Sequence, residues 1–167
     1  MKKILSLTMA LAMLGTALTG CGSKDAASKT PAESTQQTAP VQQEQSQTEK
    51  ALALINTFAT GDTDTARSLL ADGYIQHNLA YGTGADAFIG SVEYLASADV
   101  KTAVNNIRAF EDGDKVFLQT VYNFAGAGEQ VAFDIFRFDE NGKIAEHWDV
   151  METIADKSTW QNQNGKF

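Results

Sequence analysis

Two histidines and two aspartates are the residues of this chain best suited to acid-base chemistry. The 167-residue sequence has only two histidines, His77 and His147, and Asp134 and Asp149 lie near the second one. An imidazole, with a pKa of about 6.5, can remove a proton next to a carbonyl group at neutral pH. Asp134 has apolar neighbours, and burial would keep it protonated and able to donate a hydrogen bond to the developing enolate. These residues predict cofactor-free acid-base catalysis (enolisation, aldol or isomerase chemistry) on a small apolar molecule.

The same residues fit two other interpretations. With ordinary structural hydrogen bonds at both histidines, the protein would be a non-catalytic ligand-binding or protein-interaction module. Two histidines with one aspartate could also hold a metal, but their spacing is not diagnostic. The sequence has no Gly-x-Ser-x-Gly elbow, and Gly82 and Gly84 do not begin a complete phosphate-binding fingerprint. We therefore predict no metal and no other cofactor, and both catalysis and pure binding stay open.

The hairpin that carries Asp134 and His147 has two open registers. Its strands are predicted at 130–138 and 143–154, around the turn Asp139 to Gly142. A four-residue loop pairs Phe138 with Lys143 and places Asp134 opposite His147, whereas a three-residue loop places Asp134 opposite Trp148. In the first register, one face carries Asp134, Phe136, His147, Asp149 and Met151, and the other carries Val131, Phe133, Ile135, Ile144, Trp148 and Val150.

The elements that must position these residues follow from hydrophobic periodicity. Helical spacing from Ala51 to Phe58 ends at Gly61, a second short helix follows Asp62, and a third is predicted over 85–98. A short strand is predicted over 74–77, and the strand-like runs are 102–110, 116–124, 130–138 and 143–154. Helices first and an antiparallel meander last are typical of an α+β fold.

Charge and the N-terminal segment limit the partners and the location. The chain has 13 basic and 21 acidic residues and a net charge of −8, so we predict no nucleic-acid partner. Residues 1–20 have two lysines before an uncharged stretch and predict a secretory signal peptide. The lone cysteine, Cys21, follows Leu18-Thr19-Gly20 and resembles the acylated cysteine of a bacterial lipobox. We expect a lipid anchor at Cys21 that holds the protein on the extracytoplasmic face of the cell membrane.

The segment after Cys21 differs in composition from the rest. Residues 22–48 contain six glutamines, both prolines and no aromatic residue, which is typical of a disordered linker. We therefore divide the chain into a signal peptide (1–20), a lipidated cysteine with its linker (21–48) and one folded domain (49–167).

Two motifs resemble the SnoaL-like family of the nuclear-transport-factor-two-like superfamily. They are Tyr74-Ile75-Gln76-His77-Asn78 and the run from Phe133 to Val150, and the resemblance extends from about Glu49 onward. It implies a cone-shaped α+β fold of three N-terminal helices packed on a curved, mostly antiparallel sheet, with a pocket inside. The superfamily includes polyketide cyclases, ketosteroid isomerases, epoxide hydrolases and non-enzymes, so the fold alone does not decide the function.

The resemblance also implies positions in the pocket. The ketosteroid isomerase branch has its pocket carboxylic acid at the position of Asp134 and its catalytic base at the position of His77, and its next strand favours the first register. We expect one cavity to bring together four catalytic residues, His77, Asp134, His147 and Asp149. Three further residues are expected to line it, namely Tyr74, Phe136 and Met151.

The apolar side chains on the outer face of the predicted sheet indicate a homodimer. Its six apolar side chains, named above for the first register, form a larger patch than a soluble monomer usually exposes. We expect a second copy of the chain to cover it about a two-fold axis.

Overall fold

The computed structural model describes residues 44–167. The predicted signal peptide, Cys21 and the linker as far as residue 43 lie outside the described residues. The first helix begins at Gln47, two residues before the predicted domain start at Glu49. It begins there because the Ser46 hydroxyl accepts from the Glu49 N–H while the Glu49 carboxylate accepts from the Ser46 N–H. The folded domain therefore includes the end of the predicted linker.

Three helices precede most of the sheet, as predicted. They are α1 (Gln47–Thr60), α2 (Thr63–Leu69) and α3 (Ala85–Ser97). Gly61 ends α1 with a φ of +75°, and a Cβ atom there would lie 2.8 Å from the Ala96 Cβ. Glycine is therefore required both for the left-handed turn and for the close approach to α3.

The sheet has five strands in the order β1-β5-β4-β3-β2. The strands are β1 (Leu70–Gln76), β2 (Ala103–Asp112), β3 (Lys115–Asn123), β4 (Gln130–Phe138) and β5 (Ile144–Thr153). Neighbouring strands are antiparallel except for β1, which runs parallel to β5. The predicted α+β fold is confirmed. None of the described helices is long and apolar enough to cross a membrane.

The core lies between the helices and the inner face of the sheet. Leu54 of α1 and Val92 of α3 are fully buried there, together with Val116, Leu118 and Phe136 of the sheet. Full burial of such a side chain stabilises the fold by about 1.5–3 kcal/mol. The helices thus cover one face of the sheet and not the other.

The β4–β5 register differs from both predicted registers. Phe138 pairs with Ile144, Phe136 with His147 and Asp134 with Asp149, with a bulge at Ala145. The turn is longer than expected because the Asp139 carboxylate accepts the N–H groups of Asn141 and Lys143. The bulge also corrects the predicted face of Ile144, which is fully buried in the core and not on the outer face.

The outer face remains apolar after this correction, but its composition changes. Phe110, Phe117, Phe133 and Val150 are exposed there, whereas Val131 is buried. The C-terminal segment reaches this face, since the Gln119 side chain donates to the Lys166 carbonyl at 3.0 Å. The predicted patch therefore exists in smaller and altered form.

Candidate functional site

A cavity of about 720 Å³ lies between the inner face of the sheet and helices α1 and α3. Its wall is largely aromatic and aliphatic. Tyr74, Phe136 and Met151, which the sequence analysis places in a pocket, all line it. Other lining residues include Ile55, Phe58, Tyr81, Phe88, Tyr94, Leu95, Tyr122 and Phe124. This volume and lining suit a small, mostly apolar ligand.

Three of the four predicted catalytic residues meet in this cavity. Asp134 of β4 and His147 and Asp149 of β5 all line it, because residues two apart on a strand share a face. His147 Nε2 lies 3.2 Å from Asp134 Oδ1, and both side chains are buried. Tyr122 of β3 donates its hydroxyl to Asp134 Oδ2 at 3.0 Å. Burial, reinforced by the charge of Asp134, raises the pKa of Tyr122, so its hydroxyl keeps its proton.

His77 is the exception, because it lies on the outer face of the sheet. Its ring stacks on Trp148 with centroids 4.4 Å apart, and its Nε2 lies 2.9 Å from Glu146 Oε2. Arg137 also donates to Glu146, and the bonds from His77 and Arg137 lower the pKa of the Glu146 carboxyl. His77 does not line the cavity, so the expected convergence of four residues is corrected to three.

Gln76 occupies the position in the cavity that was expected for His77. It pairs with His147 across the parallel β1–β5 ladder, and its Nε2 lies 3.0 Å from His147 Nδ1. Strand alternation carries the signal for this placement: Tyr74 and Gln76 are two residues apart, whereas Tyr74 and His77 are three apart and cannot share a face of one regular strand.

The polar cluster of Asp134, His147, Asp149 and Gln76 has two further members, Tyr122 and Asn78, that the sequence alone does not identify. Asn78 donates its side-chain amide to Asp149 Oδ1 at 2.6 Å. Gln76 Nε2 also lies within 3.3 Å of the Tyr74 hydroxyl. Burial and the nearby carboxylates of Asp149 and Asp134 raise the pKa of Tyr74, which therefore stays a hydrogen-bond donor. Tyr122 and Asn78 reach the cluster from other parts of the chain, so a sequence motif within one strand does not reveal them.

Asp149 differs from Asp134 in having an oxygen available to a ligand. Asn78 donates to Oδ1, and within residues 44–167 no side chain or backbone group donates to Oδ2. Burial, together with the charge of Asp134, raises the pKa of Asp149, although the hydrogen bond from Asn78 acts in the opposite direction. A raised pKa makes a carboxylate a stronger base.

The cluster also contains a donor set that a divalent cation could use. One ligand atom each from Asp134, His147 and Asp149 lies within 4.8 Å of the others. Two carboxylates and an imidazole suit several transition metals. However, both His147 ring nitrogens and both Asp134 oxygens are engaged in hydrogen bonds. A metal would have to displace these bonds, and the absence of a metal cofactor stays a prediction.

The cavity favours ligands without negative charge. Among the described residues that line it there are two aspartates and neither lysine nor arginine. An anionic ligand would lose its hydration without gaining an opposite charge. A neutral ligand avoids that cost.

The family of the chain follows from its sequence. Residues 51–147 match the model of the SnoaL-like domain. The chain belongs to the SnoaL-like family. The resemblance predicted from the two motifs is thus confirmed, and the match includes Asp134 and His147. A comparison with curated protein sequences finds no match.

Solved structures show the same fold at low sequence identity. An NTF2-like protein from Cytophaga hutchinsonii is 16% identical, with a TM-score of 0.57 over 67% of this chain and 95% of its own. IdmH, a candidate polyketide cyclase from Streptomyces antibioticus, is 18% identical, with a TM-score of 0.52 over 65% and 93%. An LEH-like epoxide hydrolase from M. tuberculosis is 18% identical, with a TM-score of 0.54 over 62% and 80%. These similarities concern the fold.

The raised pKa of Asp149 predicts that its ionisation destabilises the domain. The folded chain holds this proton to a higher pH than the unfolded chain, so stability is lost as pH rises from the usual aspartate pKa through the raised one. We expect Asp149→Asn to raise the melting temperature at pH 7. The gain should be less than about 1 kcal/mol because the partly buried carboxyl is screened by solvent. It should vanish below the usual aspartate pKa.

Asp139→Asn is the matched control for this measurement. Backbone hydrogen bonds from Lys143 and Asn141 lower the pKa of Asp139, so its loss should destabilise the domain at pH 7. Thermal unfolding of both variants from acidic to neutral pH gives the comparison. An Asp149→Asn variant that is less stable than the wild type at pH 7 would contradict the prediction.

Proposed function

We propose that the domain binds a small, mostly apolar carbonyl compound and moves a proton on the carbon next to its carbonyl group. The observation that carries this proposal is the free oxygen of Asp149 at the polar end of an otherwise apolar cavity. Asp149 is the base, because burial, reinforced by the charge of Asp134, raises the pKa of its carboxyl.

The Tyr74 hydroxyl supplies the complementary donor. It accepts a hydrogen bond from Gln76, so its own proton is available to a ligand oxygen in the cavity that it lines. A donor aimed at a carbonyl oxygen stabilises the negative charge that develops when the neighbouring carbon loses its proton. Base and donor together suit enolisation, which is the first step of isomerase and aldol chemistry.

The named neighbours support an enzymatic role without deciding the reaction. IdmH is named as a candidate polyketide cyclase and the M. tuberculosis protein as an epoxide hydrolase. At 18% identity they share the fold with this chain, and one fold hosts many activities. The choice of enolisation therefore depends on Asp149 and Tyr74.

Hydrogen exchange tests this function without knowledge of the natural substrate. β-Tetralone, a neutral bicyclic ketone with acidic α-hydrogens, is incubated with the protein in deuterated buffer and followed by mass spectrometry. We expect exchange above the buffer rate, and a loss of at least about a hundredfold of the enzymatic rate in Asp149→Asn. Asp64→Asn, the same charge change at an exposed residue of α2, which does not line the cavity, should keep the wild-type rate.

The outcomes of this experiment separate the alternatives. If the ketone binds but wild-type exchange equals the buffer rate, the domain is a ligand-binding module. If His77→Asn abolishes exchange and Asp149→Asn does not, the base is His77, as the family resemblance implies.

We further propose that Cys21 anchors the protein to the membrane on its extracytoplasmic face. The sequence around Cys21 supports this anchor. Aromatic side chains could make apolar contacts with a membrane, but all of them lie after the linker, in the folded domain. We expect Cys21→Ala to move the protein from the membrane fraction to the soluble fraction. Detergent-dependent membrane association of that variant would overturn the anchor.

We propose that a second copy of the chain covers the outer face of the sheet. Phe110, Phe117, Phe133 and Val150 are 63, 37, 55 and 72% exposed on adjacent strands, and burying them together would stabilise a dimer. Sedimentation of the chain from Gly22 at micromolar concentration should give twice the monomer mass. Phe133→Asp should give a monomer, whereas Leu79→Asp, at a fully exposed apolar residue of the β1–α3 loop, should not. A monomeric wild type would refute the dimer.

A further inference from the structure

The side chain of Gln76 uses every hydrogen-bonding group it has. Its Oε1 accepts the backbone N–H of Asn78 at 2.9 Å, and its Nε2 lies 3.0 Å from His147 Nδ1 and 3.3 Å from the Tyr74 hydroxyl. A backbone N–H can only donate, so the carbonyl end of the amide must face Asn78. The NH₂ end must therefore face His147.

This orientation determines which His147 nitrogen carries the proton. An NH₂ group can only donate, so Nδ1 of His147 must accept and cannot carry a hydrogen. The proton of the neutral ring then lies on Nε2, 3.2 Å from Asp134 Oδ1. The Phe136 ring stacks on the imidazole with centroids 4.5 Å apart and holds its plane.

The protonation of Asp134 follows from that of His147. Asp134 receives the Nε2 proton of His147 on one oxygen and the Tyr122 hydroxyl on the other. A carboxyl group that accepts at both oxygens is satisfied as the ionised form. This differs from the sequence-based hypothesis, in which a protonated Asp134 donates to the substrate.

We infer that Gln76 is a positioning residue that fixes His147 as the neutral Nε2–H tautomer and Asp134 as an ionised acceptor. Given the proposed function, this leaves Asp149 as the carboxylate that takes the ligand's proton and Tyr74 as the hydroxyl that donates to the ligand's oxygen. The ligand class is then a neutral ketone or aldehyde with an acidic C–H beside the carbonyl. His147 holds Asp134 in its ionised form and does not itself exchange a proton with the ligand.

Nitrogen NMR of the histidines tests this assignment directly. Only two histidines occur in the chain, so long-range proton–nitrogen spectra of the ¹⁵N-labelled chain from Gly22 show two rings, and His77→Asn identifies the signals of His147. At pH 7 we expect Nδ1 of His147 at the chemical shift of an unprotonated nitrogen and Nε2 at that of a protonated one. The reverse pattern, or two protonated nitrogens, would overturn the inference.

Gln76→Glu tests whether Gln76 causes this state. One glutamate oxygen can still accept from Asn78, but the other now faces Nδ1 and can only accept. His147 would then carry protons on both nitrogens, between the carboxylates at positions 76 and 134 and near Asp149. The spectrum should change to that of an imidazolium, with protons on both ring nitrogens.

Gln130→Glu is the matched control. Gln130 also lines the cavity, so this variant adds the same charge there, but Gln130 makes no side-chain hydrogen bond to His147. Its His147 spectrum should equal that of the wild type, and an imidazolium in this variant would show that charge alone, and not Gln76, sets the state of His147. If Gln76→Glu does not fold, the wild-type spectrum still decides the tautomer. The expected tautomer without exchange of a ketone that binds would refute the proposed function and leave the role of Gln76 intact.

Discussion

The pairing of β4 with β5 is the constraint on which the site depends. The bulge at Ala145 changes the alternation once, after Ile144, so that Ile144 enters the core and His147, Asp149 and Met151 still face the helices. A ladder displaced by one residue would turn Trp148 inward and remove both β5 members of the polar cluster. The Asp139 turn contributes to this register because its carboxylate holds two backbone N–H groups on the β5 side. The Asp139 turn and the bulge at Ala145 thus decide which polar side chains of β5 face the cavity.

Burying a carboxylate on the inner face has consequences for every neighbour. Asp134 is about 4% exposed, and its ionised form is acceptable there only because Tyr122 and His147 both donate to it. Burial raises the pKa of Tyr74, Tyr122 and Asp149, and the charge of Asp134 acts in the same direction on each of them. The hydroxyls keep their protons and Asp149 becomes more basic.

The sequence predicts the elements well and the contacts between them less well. The third helix and β4 are found within a residue of their predicted bounds, because their hydrophobic patterns are long and end at turn residues. The capping box of Ser46 and Glu49 is visible in the sequence, but it lies within a segment of linker-like composition. Gln76 lines the cavity and His77 does not, whereas the family resemblance places His77 there. Their placement depends on the irregular start of β1 and on its parallel pairing with β5, which link residues about 70 positions apart.

The polar side chains of the cavity and most of its apolar wall come from different elements. Asp134, His147, Asp149 and Gln76 all belong to the sheet, where ladder hydrogen bonds fix backbone positions. Much of the apolar wall comes from α1, α3 and the β3–β4 connection, where Ala125 lines the cavity with a φ of +49°. A non-glycine residue in that region costs about 1–3 kcal/mol, and such strain is common near binding sites. Substitutions in the wall can therefore change the shape of the cavity without moving its polar side chains. Two structures that share this fold with the chain at 18% identity are named for different activities, as expected where one fold hosts many sites.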